Sequence, residues 1–233
     1  MNISVNTPSY KRASSVKTLA YLPFCKVWVD ESEAEEYRKN YPDAEIVACP
    51  TGVQGNVARI RNYILEKEFE KGADVVVLLD DDLHKLERFE LKDGFGYTRV
   101  PLEAKDFFTF VEKYSIMAED IGAKFWGVNM NNDNLSYRHF APFSTKAFVG
   151  GPFQAFMKGN KCRYDETLPL KEDYDMTLQQ LNLERVVLRI NYYHYICEQS
   201  TNKGGCAAMR NREREQQQFE ALQRKWGGAN CET

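Results

Sequence analysis

The sequence predicts an α/β fold: a mainly parallel central sheet flanked by helices, with residues 1–233 forming one domain. Short β-branched runs alternate with helical stretches through the first third of the chain. The run VVVLL at 75–79 has no polar residue, as a strand covered on both faces requires. No linker-like segment separates the two halves. In order, residues 3–7 read as a strand closed by Pro8, and residues 26–29 as a second that ends at Asp30, before the charged helical run SEAEEYRKNY. Residues 45–49 make a third strand, closed by Pro50 and Gly52. The segment NVARIRNYILEKEFEKG then places Val57, Ile60 and Ile64 at helical spacing until Gly72 stops it. Residues 75–79 are the fourth strand. The second half is less regular: a helix over 107–121, a strand FWGVN, a turn at Gly150 and Gly151, and a helix after Asp173. A strand over 185–195 follows, then a polar helix over 209–226 with Phe219, Leu222 and Trp226 on one face.

Composition narrows the class. A chain of 233 residues that is 43% hydrophobic and 13% aromatic can bury one sizeable core. The six cysteines form no C-x-x-C pair, which favours reduced, structural thiols over zinc or disulfide frameworks. The amino terminus has no apolar signal core and no stretch is long enough to cross a bilayer, so the expectation is a cytoplasmic protein with no membrane partner. A net charge of -3 rules against a chain-wide basic surface. Any nucleic-acid contact then falls to local positive segments, KGNKCR at 158–163 and NKGGCAAMRNRERE, with Lys203, Arg210, Arg212 and Arg214 as the candidate phosphate contacts. Glu213 and Glu215 alternate with these arginines, as they also would on an ordinary solvated face.

The chemistry is concentrated where the fourth strand ends, in LDDD at 79–82. In open parallel sheets, ligands bind beyond the carboxyl ends of the strands. Alternation along extended backbone turns Asp80 and Asp82 to one side and Asp81 to the other. Two carboxylates on one side suit a hard divalent cation, Mn²⁺ or Mg²⁺, whose shell is completed by phosphate oxygens and water. Acidic residues at such a place also make plain turns or helix caps.

With TPSYKR after the first strand, Asp30 closing the second, GNVARIRN opening a helix and LDDD closing the fourth, the order of motifs resembles the nucleotide-sugar-binding half of GT-A glycosyltransferases, a Rossmann-like fold. GGPF at 150–153 is similar to the glycine loop of those enzymes, and KEDYDM at 171–176 to their x-E-D acceptor motif. Within that superfamily PSYKRA, LLDDDL and KEDYDM resemble the compact, phage-encoded TET-associated glycosyltransferases, thought to glycosylate hydroxymethylated pyrimidines in DNA.

The resemblance implies a nucleotide-sugar-binding half over 1–100 and an acceptor half with the carboxy-terminal helix over 101–233. It implies a UDP-sugar donor contacted by Pro8, Ser9, Tyr10, Lys11 or Arg12, Asp30 and Asp81, with Gly150 and Gly151 close to sugar or acceptor. GNVARIRN departs from the usual A-R-N opening by inserted residues, which leaves Arg59 and Arg61 as alternatives for a donor contact. His194 falls where many members place a late metal ligand beside Asp80 and Asp82.

The residues support that chemistry. A metal on Asp80 and Asp82 would neutralise the departing diphosphate. An acceptor hydroxyl needs its proton removed, for which Asp173, with Glu172 beside it and Asp175 as the alternative, is the candidate base. Glu172 and Asp173 would also suit a helix amino terminus. Two other readings stand beside this one. A non-catalytic nucleotide-binding module would not need intact Asp80, Asp82 and Asp173. A nucleotidyltransferase would normally carry a glycine-rich loop after the first strand, and TPSYKRASS contains no glycine.

Overall fold

The computed structural model describes residues 1–92, 96–135, 137–197 and 211–227. The four expected strands of the first half are present as β1 (Ile3–Pro8), β2 (Lys26–Asp30), β3 (Ile46–Cys49) and β4 (Val75–Leu79). With them come helices α1 (Thr18–Tyr21), α2 (Ala34–Asn40) and α3 (Val57–Glu70). After β4 come β5 (Leu83–Leu91), β6 (Tyr97–Pro101), α4 (Phe107–Asp120), β7 (Phe125–Asn129) and β8 (Phe143–Ser144). Then follow β9 (Phe153–Met157), α5 (Glu172–Leu183), β10 (Leu188–Cys197) and α6 (Arg212–Trp226).

One sheet takes in all these strands, in the order β3-β2-β1-β4-β9-β7-β10-β5-β6, with β8 on β10. The parallel core that the sequence predicts is the block β3-β2-β1-β4, while β9 pairs antiparallel with both β4 and β7. Two antiparallel steps restore direction. β7 and β10, themselves parallel, therefore end on the same edge as β1, β2 and β4. Strands β5, β6, β8 and β9 and the short α1 are additions to the sequence reading. Periodicity could not separate β9, whose five residues are all buried, from the turn before it.

The apolar run of β4 is explained by layers on both faces. Val75, Val77 and Leu79 pack with Phe107, Phe110 and Val111 of α4, and Val76 and Leu78 pack with Ile60, Ile64 and Leu65 of α3. Asn56 caps α3, its side chain accepting from the Ala58 and Arg59 amides, which fixes the helix phase. In that phase Arg61 falls on the buried stripe with Ala58, Ile64 and Leu65, and Arg59 falls outside it.

Helix α6 docks on α5 through the face the sequence marks: Leu222 packs on Leu168, with Phe219 and Trp226 against the same cluster. Beneath it Asp175, fully buried, accepts from the Trp226 indole N–H (2.7 Å) and the Gln179 amide (2.6 Å) and pairs with Lys225 (2.8 Å). Asp175 is thus a structural carboxylate, and its place as an alternative base is corrected. Asp175→Asn is expected to cost about 2–3 kcal/mol of stability, because Lys225 loses a buried counter-charge. A denaturant titration measures that loss, and nucleotide affinity should stay at the wild-type value. None of the described helices is long and apolar enough to cross a membrane.

Candidate functional site

The three aspartates leave β4 at the carboxyl edge of the sheet in a turn closed by the Leu83 amide on the Asp80 carbonyl, in place of the extended alternation expected of them. Asp81 turns inward, buried, accepting from the Ser9 hydroxyl (2.7 Å) and pairing with Arg12 (2.7 Å). Asp80 turns to Arg61, with its side chain 34% exposed. Asp82 meets the Cys197 thiol, which burial and the charges of Asp80 and Asp82 hold protonated. The turn itself is clamped by α1. The Thr18 hydroxyl donates to the Asp80 carbonyl (2.6 Å) and accepts from the Leu83 amide, and the Lys17 and Thr18 amides donate to the Asp81 carbonyl.

Arg61 is the hub that sequence reasoning left undecided. With its side chain 1% exposed, it pairs with Asp80 (2.5 Å) and Glu172 (3.3 Å) and donates to the Gly151 carbonyl (3.1 Å). One guanidinium thereby joins α3, the exit of β4, the glycine turn and the start of α5. A charged residue on an apolar helical stripe is the signal that marks it. Arg59 faces solvent instead, bonded to Glu166 (2.9 Å) and the Gly52 carbonyl (2.7 Å), so its place as a donor contact passes to a loop-holding role.

Gly150 and Gly151 are needed for close approach. A Cβ on Gly150 would lie 2.5 Å from the Tyr195 hydroxyl, and one on Gly151 3.2 Å from Arg61. The Gly151 amide donates to one oxygen of Asp173 (3.2 Å) and the Tyr174 amide to the other (2.9 Å). Burial raises both Asp173 and Glu172, the latter to about 8, with the neighbouring Asp173 charge adding to it. Arg61 remains ionised, but its shorter contact is to Asp80, so it only partly offsets the burial of Glu172. Two amide donors favour the ionised form of Asp173, so the shared proton belongs on Glu172.

This assignment has a measurable consequence for stability. Glu172 has a folded value of about 8, above its ordinary 4.5, so the folded chain holds a proton that the unfolded chain releases. The contribution is complete below the unfolded value and is lost as pH rises through the folded one. Melting temperature should therefore fall between about pH 5 and about pH 8, and Glu172→Gln should flatten that slope. Calorimetric scans of both proteins across that range check the sign.

The exits of β1 and β2 come together as the sequence predicts. Pro8 ends β1 opposite Trp28, and buried Gln54, a residue not anticipated, donates to the carbonyls of Ser9 (3.3 Å) and Trp28 (2.8 Å). Tyr10 is half-buried, with Lys11 over its ring. Asp30 is buried and accepts from the amide and hydroxyl of Ser32, which hold it below the usual carboxylate range. Ser9 and Arg12 are both committed to Asp81, so neither stands clear as a donor contact.

His194 is a correction. It lies fully buried on β10 opposite Glu87, with Nε2 3.3 Å from that carboxylate and its ring 4.5 Å from the Phe89 ring, and burial lowers its basicity. Strand alternation turns it to the other face, and Cys197 at the strand's end is the β10 residue that reaches the aspartates. Among the described residues no group of three or more His, Cys, Asp or Glu is arranged around a metal position. A hard cation at this turn would be held by Asp80, now paired with Arg61, and Asp82, now on the Cys197 thiol, with diphosphate oxygens and water completing its shell.

Of the basic candidates, Lys203 and Arg210 lie outside the described residues. Arg212 and Arg214 are exposed in the first turn of α6, beside Glu215, which pairs with Lys171 (2.6 Å) immediately before Glu172. This end of α6 therefore flanks the carboxylate pair. The segment 158–163 does not: the Lys158 amide bonds the Asp74 carbonyl, at the opposite edge of the sheet, because β9 runs against β4.

An open sheet of this order, with aspartates at the exit of its parallel block and a second acidic pair joined to them through Arg61, is an α/β fold of the GT-A type. Residues 3–205 match the model of the TET-Associated Glycosyltransferase family, and the chain belongs to that family. A comparison with curated proteins finds no match. Among solved structures, the chain is similar to a protein described as a nucleotide-diphospho-sugar transferase from Desulfovibrio desulfuricans G20. That match has 14% identity, covers 97% of this chain and 98% of the other, and has a TM-score of 0.47. It is also similar to CMP:2-keto-3-deoxy-manno-octonic acid synthetase complexed with CTP, with 11% identity, coverage of 96% and 100%, and a TM-score of 0.48.

Proposed function

We propose that this glycosyltransferase moves a sugar from a UDP-sugar to the hydroxymethyl group of a modified pyrimidine in DNA, 5-hydroxymethylcytosine being the favoured acceptor, with inversion at the anomeric carbon. The observation that carries the reading is the Arg61-centred cluster, in which Asp80 at a strand exit and Glu172 at the start of α5 share one buried cation, with Asp173 tied to Gly151 beside it. Mn²⁺ or Mg²⁺ on Asp80 and Asp82 would supply Lewis-acid neutralisation of the departing diphosphate. Asp30, Tyr10 and the Gln54-joined turns form the floor for the nucleoside. Asp173 takes the proton of the acceptor hydroxyl, its two oxygens fixed by the Gly151 and Tyr174 amides and its charge protected because Glu172 carries the shared proton. The exposed arginines at the start of α6 lie beside this pair and suit DNA phosphates, so activity should fall with added salt.

The test is a screen of UDP-sugars with Mn²⁺ on paired DNA substrates, one containing 5-hydroxymethylcytosine and one unmodified, read by mass spectrometry of the nucleosides. A mass gain of one sugar on the hydroxymethylated substrate alone is expected. No product from any common UDP-sugar on that substrate would remove DNA as the acceptor.

A further inference from the structure

The charge of the site is already partly balanced before any ligand arrives. Arg61 is buried, it cannot be deprotonated at any working pH, and its shortest contact is to Asp80. Its guanidinium also reaches Glu172 and the Gly151 carbonyl, so it is held from three sides and is not a side chain that swings out into water. A cation fixed this close to one of the two carboxylates proposed above to hold the metal repels a second cation. We propose that Arg61 is a resident counter-cation that keeps the affinity of the donor-free protein for divalent metal low, so that metal binds together with the nucleoside diphosphate. The diphosphate brings the negative charge that the Arg61–Asp80 pair has removed, and it supplies the oxygens that complete the shell. Arg61 is on this view a positioning residue. It sets the order of assembly, and it does so through Asp80 without touching the reacting atoms. The inference rests on the metal-assisted reading above.

The experiment measures Mn²⁺ binding to the donor-free protein by electron paramagnetic resonance, with and without UDP, in wild type, Arg61→Gln and Arg61→Lys. Wild type should bind Mn²⁺ weakly alone and at least about tenfold more tightly with UDP, since a tenfold change corresponds to only about 1.4 kcal/mol. Arg61→Gln should bind Mn²⁺ alone about tenfold more tightly than wild type, and adding Asp80→Asn to it should abolish that gain. Arg61→Lys keeps a charge in the core and so guards against failure to fold. Its single ammonium cannot serve Asp80, Glu172 and Gly151 together, and it should show a smaller gain in the same direction. A purely structural Arg61 would leave metal affinity unmoved: equal Mn²⁺ affinity for wild type and whichever variants fold overturns the proposal. Absence of Mn²⁺ binding in every protein, with and without UDP, is a different outcome, which removes the metal-assisted reading and this inference with it.

Discussion

Asp173→Asn is expected to lower turnover by about 10²-fold or more while UDP affinity stays near wild type. The substitution keeps shape and removes the basic carboxylate. It also places an amide NH₂ against one of two backbone donors, those of Gly151 and Tyr174, so the turn bearing Gly151 should loosen slightly. The expected signature is a fall in kcat with little change in the donor KM. Single-turnover product formation, followed alongside calorimetric UDP binding, separates the two. The proposed role also requires inversion: proton NMR of the freshly formed glycoside should show the anomeric configuration opposite to that of the donor. Retained configuration, or an Asp173→Asn enzyme with full turnover, would assign the base elsewhere.

Asp80→Asn should act on binding and on stability together. Loss of one of the two carboxylates proposed to hold the metal is expected to weaken Mn²⁺-dependent UDP binding by about 10²-fold. Arg61 would then lose its shortest charge partner and keep Glu172 and one carbonyl, costing about 1–3 kcal/mol. The cost stays below that of a wholly buried pair because the Asp80 side chain is 34% exposed. Calorimetry with and without Mn²⁺, paired with a denaturant titration, measures both effects. A variant with wild-type UDP affinity in Mn²⁺ would show that Asp80 serves Arg61 alone.

The sequence by itself determined strands β1 to β4 and helices α2 and α3, because those elements carry local signals. The five apolar residues of β4 read as a strand with two covered faces, Asn56 marks the start of α3, and Pro8, Pro50 and Gly72 mark ends. It also determined that carboxylates stand at the exit of β4 and at the start of α5, since both lie in contiguous motifs, one directly after an apolar strand and one at a helix start. Tertiary structure alone decided which of those groups meet. His194 and Cys197 lie three residues apart on one strand, and only the pairing of β10 with β5 and β7 settles that His194 enters the core while Cys197 reaches Asp82. Asp173 and Asp175 look equivalent in KEDYDM, yet the helix turns one to Gly151 and the other under Trp226. Arg61 gains its role from burial against partners 19 and 111 residues away in the chain. Contacts at such separations depend on how layers pack, and a local pattern carries no record of the partner.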